Sequence, residues 1–398
     1  MVIPIELVKG FKLAAITAGL KKSGKPDMAL ILADKPAATA GMFTRSRVCA
    51  APVKVDKKHL KITGGYSRAV LVNSGAANAC TGKDGIKDAE LCAEHLASKI
   101  GAKKQEILVC STGVIGHRLD MTKMITGIDK AITEAGKSLQ GSFARAIMTT
   151  DLVPKEASIE VPELNGTISG VCKGSGMIAP NMATMLAYIL TDIEISPSIL
   201  SSALKDVVER TFNSVTVDGD TSTNDTVLCL ASGAACNAEI KSTTSKQYKH
   251  FRDALETVCF SLAEQIARDG EGATKIVRIK VKGAKSESDA KKAARAIAES
   301  PLVKTAMFGC DPNWGRIMMA AGRSGAGMNE RNATVRLCGV DMYTNGKPAE
   351  FDPANLSRMM KSKDITLEID LGVGNACRTM LTCDFSYDYV KINAEYHT

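Results

Sequence analysis

From Lys173 to Asp192 the chain reads K-G-S-G-M-I-A-P-N-M-A-T-M-L-A-Y-I-L-T-D, and this stretch limits the fold more than any other. Gly174, Ser175 and Gly176, followed by Ala179-Pro180-Asn181, make a loop of small and turn-forming residues. Glycine admits left-handed or strained backbone, and Pro and Asn fix and turn the chain. The loop runs directly into Met185 to Leu190, six apolar residues in a row. A run of that length suits a strand buried on both faces, which needs a layer of structure on each side. One reading is a glycine-rich connection entering a core strand.

The other reading is chemical and centres on Thr184. A threonine hydroxyl is a poor nucleophile unless a base stands beside it. Its own backbone nitrogen becomes that base if the preceding peptide bond is cut, as in N-terminal threonine enzymes. A free α-amine titrates at about 7.7–8.0, where it can take and return a proton. A cut between Ala183 and Thr184 would create that amine, and the small Ala side chain crowds the attacking hydroxyl least. A strained loop could help drive the hydroxyl onto its preceding carbonyl.

The rest of the composition removes competing functions. The 398 residues suffice for two or more core units or one large layered one. Aromatic residues make up 4%, too few to stack nucleobases, and the net charge of +8 is dispersed in short clusters such as Lys57-Lys58 and Lys291-Lys292. Both argue against nucleic acid and leave a modest bias toward acidic small substrates. Twelve cysteines include no C-x-x-C pair, so free thiols in a reducing cytosol are expected and a zinc site is not. With no signal peptide and no apolar run of membrane-spanning length, the expected location is the cytoplasm.

Strands are expected at Ala29–Ala33, ended by Asp34 and Pro36, at Ala69–Val72, at Ile107–Cys110, at Thr226–Ala231 and at Ile276–Val281, with more near 333–337 and 365–371. Helices are expected over 88–100, 121–135, 246–267 and 286–299, and from a Ser196-Pro197 start to about Phe212. Asn165-Gly166, between alternating runs, signals a hairpin that leads into the Thr184 loop. Two polar segments, Asn73–Asn78 and Thr216–Asp225, read as plain turns or as loops lining a site. The D-x-D in the second fails the EF-hand pattern. No repeat, low-complexity linker or mid-chain domain boundary is apparent. The alternation of helices and strands indicates α/β or α+β.

Five histidines lack metal-ligand spacing, and His59, His95 and His250 stand in polar stretches that place them on the surface. A G-x-S-x-G elbow, a P-loop and a Rossmann fingerprint are all missing. A self-sufficient N-terminal Thr fits that inventory, and it requires an oxyanion hole. Thr112-Gly113, after a strand, offers a hydroxyl and an approachable N–H, or is merely a strand-end turn.

Taken together these segments resemble the ornithine acetyltransferase, or ArgJ, family of arginine biosynthesis over essentially the whole chain. The resemblance assigns Thr184 as nucleophile, Ala183–Thr184 as the self-cleavage site and Thr112-Gly113 as the oxyanion pair. It assigns substrate binding to Thr150, Lys173, Thr184, Glu271 in R-D-G-E-G-A-T-K, and Asn393 and Thr398 in I-N-A-E-Y-H-T. D-P-N-W-G-R at Asp311–Arg316 is similar to the family as well. It implies an α/β sandwich of the DmpA/ArgJ type, layered helix, sheet, sheet, helix. It also implies an α chain of residues 1–183 and a β chain of 184–398 that share one fold, in a two-α, two-β assembly. The implied reaction moves acetyl from N2-acetyl-L-ornithine to L-glutamate through an acetyl-Thr184 intermediate. No cofactor or metal is implied, with acetyl-CoA open as a co-substrate. An amidohydrolase or aminopeptidase using water, a relative in secondary metabolism with another acceptor, and an uncut small-molecule-binding protein are the alternatives.

Overall fold

The computed structural model describes residues 2–137, 139–179 and 185–395. Two compact units emerge, one from the chain up to residue 213 with 220–262, the other from 214–219 with the chain from 263 on. Sequence reading found no such boundary. The reason is local: one crossing lies in the polar loop after Phe212 and the other inside a continuous helix, so no linker composition marks either.

The first unit carries β1 (Phe11–Ile16), β2 (Met28–Phe43), α1 (Ala51–Thr63), β3 (Tyr66–Ala76), α2 (Gly82–Ile100), β4 (Ile107–Val114), α3 (Met121–Glu134) and α4 (Ser142–Ile147). It continues with β5 (Lys155–Val161), β6 (Gly166–Lys173), β7 (Leu186–Thr191), α5 (Pro197–Arg210), β8 (Thr226–Ala231) and most of α6 (Lys246–Arg268). The strands form one sheet in the order β4-β3-β2-β8-β7-β6-β5, with β1 also on β2. β2 does not end at Asp34 and Pro36 as its sequence suggests. The register slips between Leu32 and Ala37 and the strand goes on, so Pro36 sits where no ladder N–H is needed. The first half of β2 pairs with β1 and β3, and the second half with β8.

That long strand is a corner. In a flat sheet β4 and β7 would stand about 19 Å apart, four intervals of about 4.8 Å. Instead the Cys110 thiol of β4 and the Tyr188 hydroxyl of β7 interact. One buried cluster takes Val70, Leu108, Leu186, Tyr188 and Leu228 together, with Phe143 of α4 packed edge-on to Tyr188 at 5.5 Å. Outside one half, α2 and α3 cover Leu30, Leu71 and Val109. Outside the other, Leu262 of α6 lies against Gly170 and Cys172 of β6. The layering is helix, sheet, sheet, helix, as expected for the α/β sandwich. β7 is buried along its whole length, as its apolar run required.

The free edge of β4 is closed by α1. Asp56 Oδ1 accepts the Val109 amide at 2.7 Å, and His59 Nδ1 donates to the Ile107 carbonyl at 2.8 Å. His59 is 1% exposed, not a surface residue; it is the group that satisfies a strand edge. Burial holds its imidazole below the usual value. A depressed folded pKa means the unfolded chain binds the proton more readily, so this contribution is complete above about pH 6.5 and is lost as pH falls below it. His59→Gln, which keeps a donor, should flatten the drop in urea midpoint between pH 7.5 and 5.5; an unchanged slope would remove His59 from the account.

The second unit holds β9 (Ile276–Ala284), α7 (Glu287–Ala298), α8 (Pro301–Phe308), α9 (Trp314–Gly322), β10 (Thr334–Leu337), β11 (Val340–Thr344), β12 (Lys347–Pro348), α10 (Pro353–Met359), β13 (Asp364–Asp370), β14 (Ala376–Cys383) and α11 (Tyr387–Glu395). Its sheet runs β12-β11-β10-β13-β9-β14, with β13 parallel to β9. Ile279 and Val281 pack with Ala290, Ala294 and Ile297 of α7, whose Ser286 cap accepts the Asp289 amide. All twelve cysteines are free, six of them buried. No helix among the described residues is long and apolar enough to cross a membrane.

Candidate active site

Thr112 and Gly113 lie within β4 rather than on a turn after it. The expected strand end at Cys110 is overrun because Ser74 and Gly75 of β3 continue in parallel register with Thr112 and Gly113. Gly113 has φ +131 and Gly75 φ +123, so two glycine backbones face each other. Ser111 Oγ donates to Asn73 Oδ1 at 2.6 Å, and Ala77 N to Val114 O at 2.9 Å. The small-residue segment after β3 therefore fixes the backbone at Thr112-Gly113. Thr112 is buried, at 6% exposure.

The polar loop before β8 joins this strand end to the start of β7. Asn224 Nδ2 donates to Ala77 O at 2.7 Å and to Ser111 O at 2.8 Å. The next residue, Asp225, accepts the Met185 amide on Oδ1 at 3.2 Å, and Thr226 N donates to Met185 O at 3.0 Å. Asp225 is 1% exposed, and burial outweighs the Met185 amide and the Lys173 charge to push its carboxyl well above the usual range. Two consecutive side chains thus tie the Thr112-Gly113 strand to the residue bonded to Thr184.

Lys173, at the end of β6, is 4% exposed and donates to Thr149 Oγ1 at 3.0 Å. Thr150 is half-buried between Thr149 and Asp151. Asp151 organises the cluster: Oδ1 takes the Lys155 ammonium at 2.6 Å and the Gly174 amide at 2.7 Å, and Oδ2 takes the Thr149 amide at 3.0 Å. Burial alone would raise this carboxyl, but Lys173 and Lys155 hold it at about 2. Lys21 adds a third cation, donating to Met148 O at 2.8 Å and Pro26 O at 2.9 Å; burial lowers it to about 8 against the pull of Asp27. The cluster is cationic and suits a substrate carboxylate.

Both side chains of the Lys155–Asp151 pair are fully buried. Lys155→Met should destabilise the chain by about 3–5 kcal/mol, because the carboxylate would lose a buried partner. Denaturant unfolding reads this, and a change under about 1 kcal/mol would show that Lys173 alone neutralises Asp151.

In the second unit, Asn393 Nδ2 donates to Glu271 Oε2 at 3.0 Å, so two residues 122 positions apart are brought together. Their frame is polar and buried. Asp384 accepts the Thr274 and Lys275 amides at 2.8 and 2.9 Å. Lys304, 1% exposed, bonds to Thr382 Oγ1 at 2.9 Å and also reaches the Cys383 carbonyl. Ala183, Thr184 and Thr398 lie outside the described residues.

Sequence reading missed Asp151, Lys155, Asn224 and Asp225. The last two sit in the segment it left as site-lining, and nothing in their spacing separates them from turn residues. Among the described residues no group of three or more His, Cys, Asp or Glu could hold a metal ion.

The sequence model of the ArgJ family matches residues 12–398. The chain belongs to the ArgJ family. The arginine biosynthesis bifunctional protein ArgJ of Geobacter sulfurreducens is 47% identical over 394 residues, covering 98% of this chain and all of that protein. The mitochondrial ArgJ of Dictyostelium discoideum is 45% identical over 416 residues, covering 98% and 92%. A crystal structure of the Bacillus halodurans ArgJ matches this ArgJ-family chain at 39% identity with a TM-score of 0.51, over 52% of this chain and 98% of that one.

Proposed function

We propose that this chain is the glutamate N-acetyltransferase of arginine biosynthesis, moving acetyl from N2-acetyl-L-ornithine to L-glutamate on Thr184 after cleavage at Ala183–Thr184. The observation that carries the reading is the Asn224-Asp225 bridge. It links the Ser111 carbonyl, next to the proposed oxyanion pair, to the amide that follows Thr184 through two consecutive side chains. A nucleophile and its oxyanion donors must converge within a few ångströms, and this linkage supports that convergence.

In the proposed reaction Thr184 Oγ attacks the acetyl carbonyl and its own α-amine takes the hydroxyl proton. The Thr112 hydroxyl and Gly113 N–H stabilise the oxyanion. The carbon–nitrogen bond breaks, ornithine leaves with the proton from the Thr184 ammonium, and acetyl remains on Oγ. The glutamate amine then attacks and the same proton path runs again. Both substrates are α-amino acids, so one carboxylate subsite around Thr150 and Lys173 serves both. Glu271 and Asn393 are the proposed residues for the remaining polar ends, with Thr398.

The products of cleavage are an α chain, 1–183, and a β chain, 184–398. Strands β1–β6 fall in the first and β7 and β8 in the second, so the β6–β7 and β2–β8 ladders would hold the pieces in one fold. The Bacillus halodurans chain, about half the length of this one by the coverage above, has the size such a cut would leave. The proposed assembly is two α and two β chains in the cytoplasm. The relatives' description as bifunctional supports acetyl-CoA as a second donor for N-acetylglutamate.

The test is a mass measurement. Incubation with N2-acetyl-L-ornithine alone should add one acetyl group to the 184–398 fragment, and labelled glutamate should then remove it. Loss of acetyl to water at the same rate without glutamate would instead make the protein an amidohydrolase. A single uncut chain that takes up no acetyl would leave only a binding protein.

A further inference from the structure

Lys21 lies in the loop between β1 and β2, and its ammonium donates to three backbone carbonyls. These are Pro26 at 2.9 Å, Met148 at 2.8 Å and Ala146 at 3.4 Å. An ammonium has three donors, so all of them go to main-chain oxygens, two on a segment more than 120 positions away. The loop itself is held by Asp27, fully buried, which accepts the amides of Ala18, Leu20 and Lys21 at 2.6, 2.5 and 2.9 Å. The same loop meets the end of β3. Ser74 N donates to Asp27 O at 2.8 Å, and Ser74 Oγ donates to Ala146 O at 2.7 Å. A Cβ on Gly75 would stand 3.2 Å from Leu20 O and 3.6 Å from Lys21 Cγ, so loop and strand end approach closely. Ser74 and Gly75 are the residues that pair with Thr112 and Gly113. Ala146 and Met148 lead directly into Thr149, which accepts from Lys173, and then Thr150. Lys21 and Ser74 therefore tie the segment entering the proposed carboxylate subsite to the strand end beside the proposed oxyanion pair.

We propose that Lys21 and Ser74 are positioning residues that set the distance between the carboxylate subsite and the oxyanion pair. By doing so they select acetyl donors whose carboxylate sits on the carbon next to the acylated nitrogen. This rests on the acetyltransferase reading above. In N2-acetyl-L-ornithine the acetyl carbon and the carboxylate carbon are three bonds apart, each about 1.3–1.5 Å long. N-acetylglutamate has the same spacing, and only its side chain differs. A subsite held at one distance from the oxyanion donors fits both. It is mismatched to the isomer N5-acetyl-L-ornithine, in which six bonds intervene. With its donors engaged by carbonyls, Lys21 acts through the 146–149 segment and not on the substrate. A shift of about 1 Å in that segment would cost about 100-fold in rate.

The experiment measures kcat/KM for transfer to glutamate from N2-acetyl-L-ornithine and from N5-acetyl-L-ornithine. Lys21→Met keeps the apolar stem and removes the donors; Ser74→Ala removes one hydroxyl and leaves the strand. The preference for the N2 isomer should shrink at least about 10-fold in Lys21→Met and about 3–10-fold in Ser74→Ala, through loss on the N2 isomer. Self-cleavage involves no substrate carboxylate, and β4 is held separately by Asn73 and Asn224. Intact mass should therefore show the same fragments in both variants as in wild type. Equal losses on the two isomers, with the preference unchanged, would mean a merely structural role and overturn the proposal. So would an unchanged rate on both, or a Ser74→Ala chain that folds but stays uncut. Wild type that moves no acetyl from N2-acetyl-L-ornithine would overturn the acetyltransferase reading itself, and this proposal with it.

Discussion

Thr184→Ala is expected to give one uncut species and to lose transfer by about 10⁵–10⁶-fold, the scale seen when a covalent nucleophile is deleted. Wild type should separate under denaturing conditions into residues 1–183 and 184–398. The variant loses two functions at once. Without the hydroxyl nothing attacks the Ala183 carbonyl, and without the cut no free amine appears beside residue 184. Co-expression of 1–183 with a chain beginning at residue 184 separates them. In that pair Thr184→Ala supplies the amine but no oxygen and should stay inactive, whereas Thr184→Ser supplies both and should recover transfer at a reduced rate. Transfer by purified, uncut Thr184→Ala would reject the nucleophile assignment. An active split Thr184→Ala pair would do the same by a route that bypasses cleavage.

What the sequence disclosed divides along physical lines. Apolar runs and alternation located β7, β8, the β5–β6 hairpin and the capped helix at Ser286, because burial and capping leave local signatures. The extension of β4 through Ser111–Gly113 left none. Small residues there read as a turn, and only pairing with Ser74 and Gly75, some 38 positions earlier, makes them strand. α1 was missed because its buried face is made partly of Asp56 and His59, which serve the β4 edge instead of a core. The buried pair Lys155–Asp151 and the Asn224-Asp225 bridge are likewise long-range arrangements of ordinary polar residues. Thr112, Gly113, Thr150, Lys173, Glu271 and Asn393 were identified by resemblance. The fold places the first four in one unit and bonds the last two to each other in the other.

Gly113→Ala is the second large effect. The strand pairing places Gly113 opposite Gly75, and a Cβ at 113 would stand 2.6 Å from Gly75 O and 2.7 Å from Ala76 N, with the Gly75 carbonyl carbon nearer still. These are backbone atoms, so no side chain can swing away. At φ +131 an alanine is strained by about 1–3 kcal/mol even with room. Overpacking adds about 1–3 kcal/mol. Relief requires the ends of β3 and β4 to part by roughly 1 Å, and a misplacement of that size costs about 100-fold in rate. The part that moves is the proposed oxyanion pair, so kcat should fall by about 10²–10³, with slower self-cleavage. Thr112→Val is the comparison, since it removes the hydroxyl without spreading the strands. It should lower kcat over a similar range and leave unfolding within about 1 kcal/mol of wild type. If both residues serve one oxyanion, the double variant should lose less than the product of the two single losses. A Gly113→Ala enzyme with wild-type stability and wild-type kcat would mean that the Gly75–Gly113 contact neither shapes this strand end nor aims a donor at the substrate.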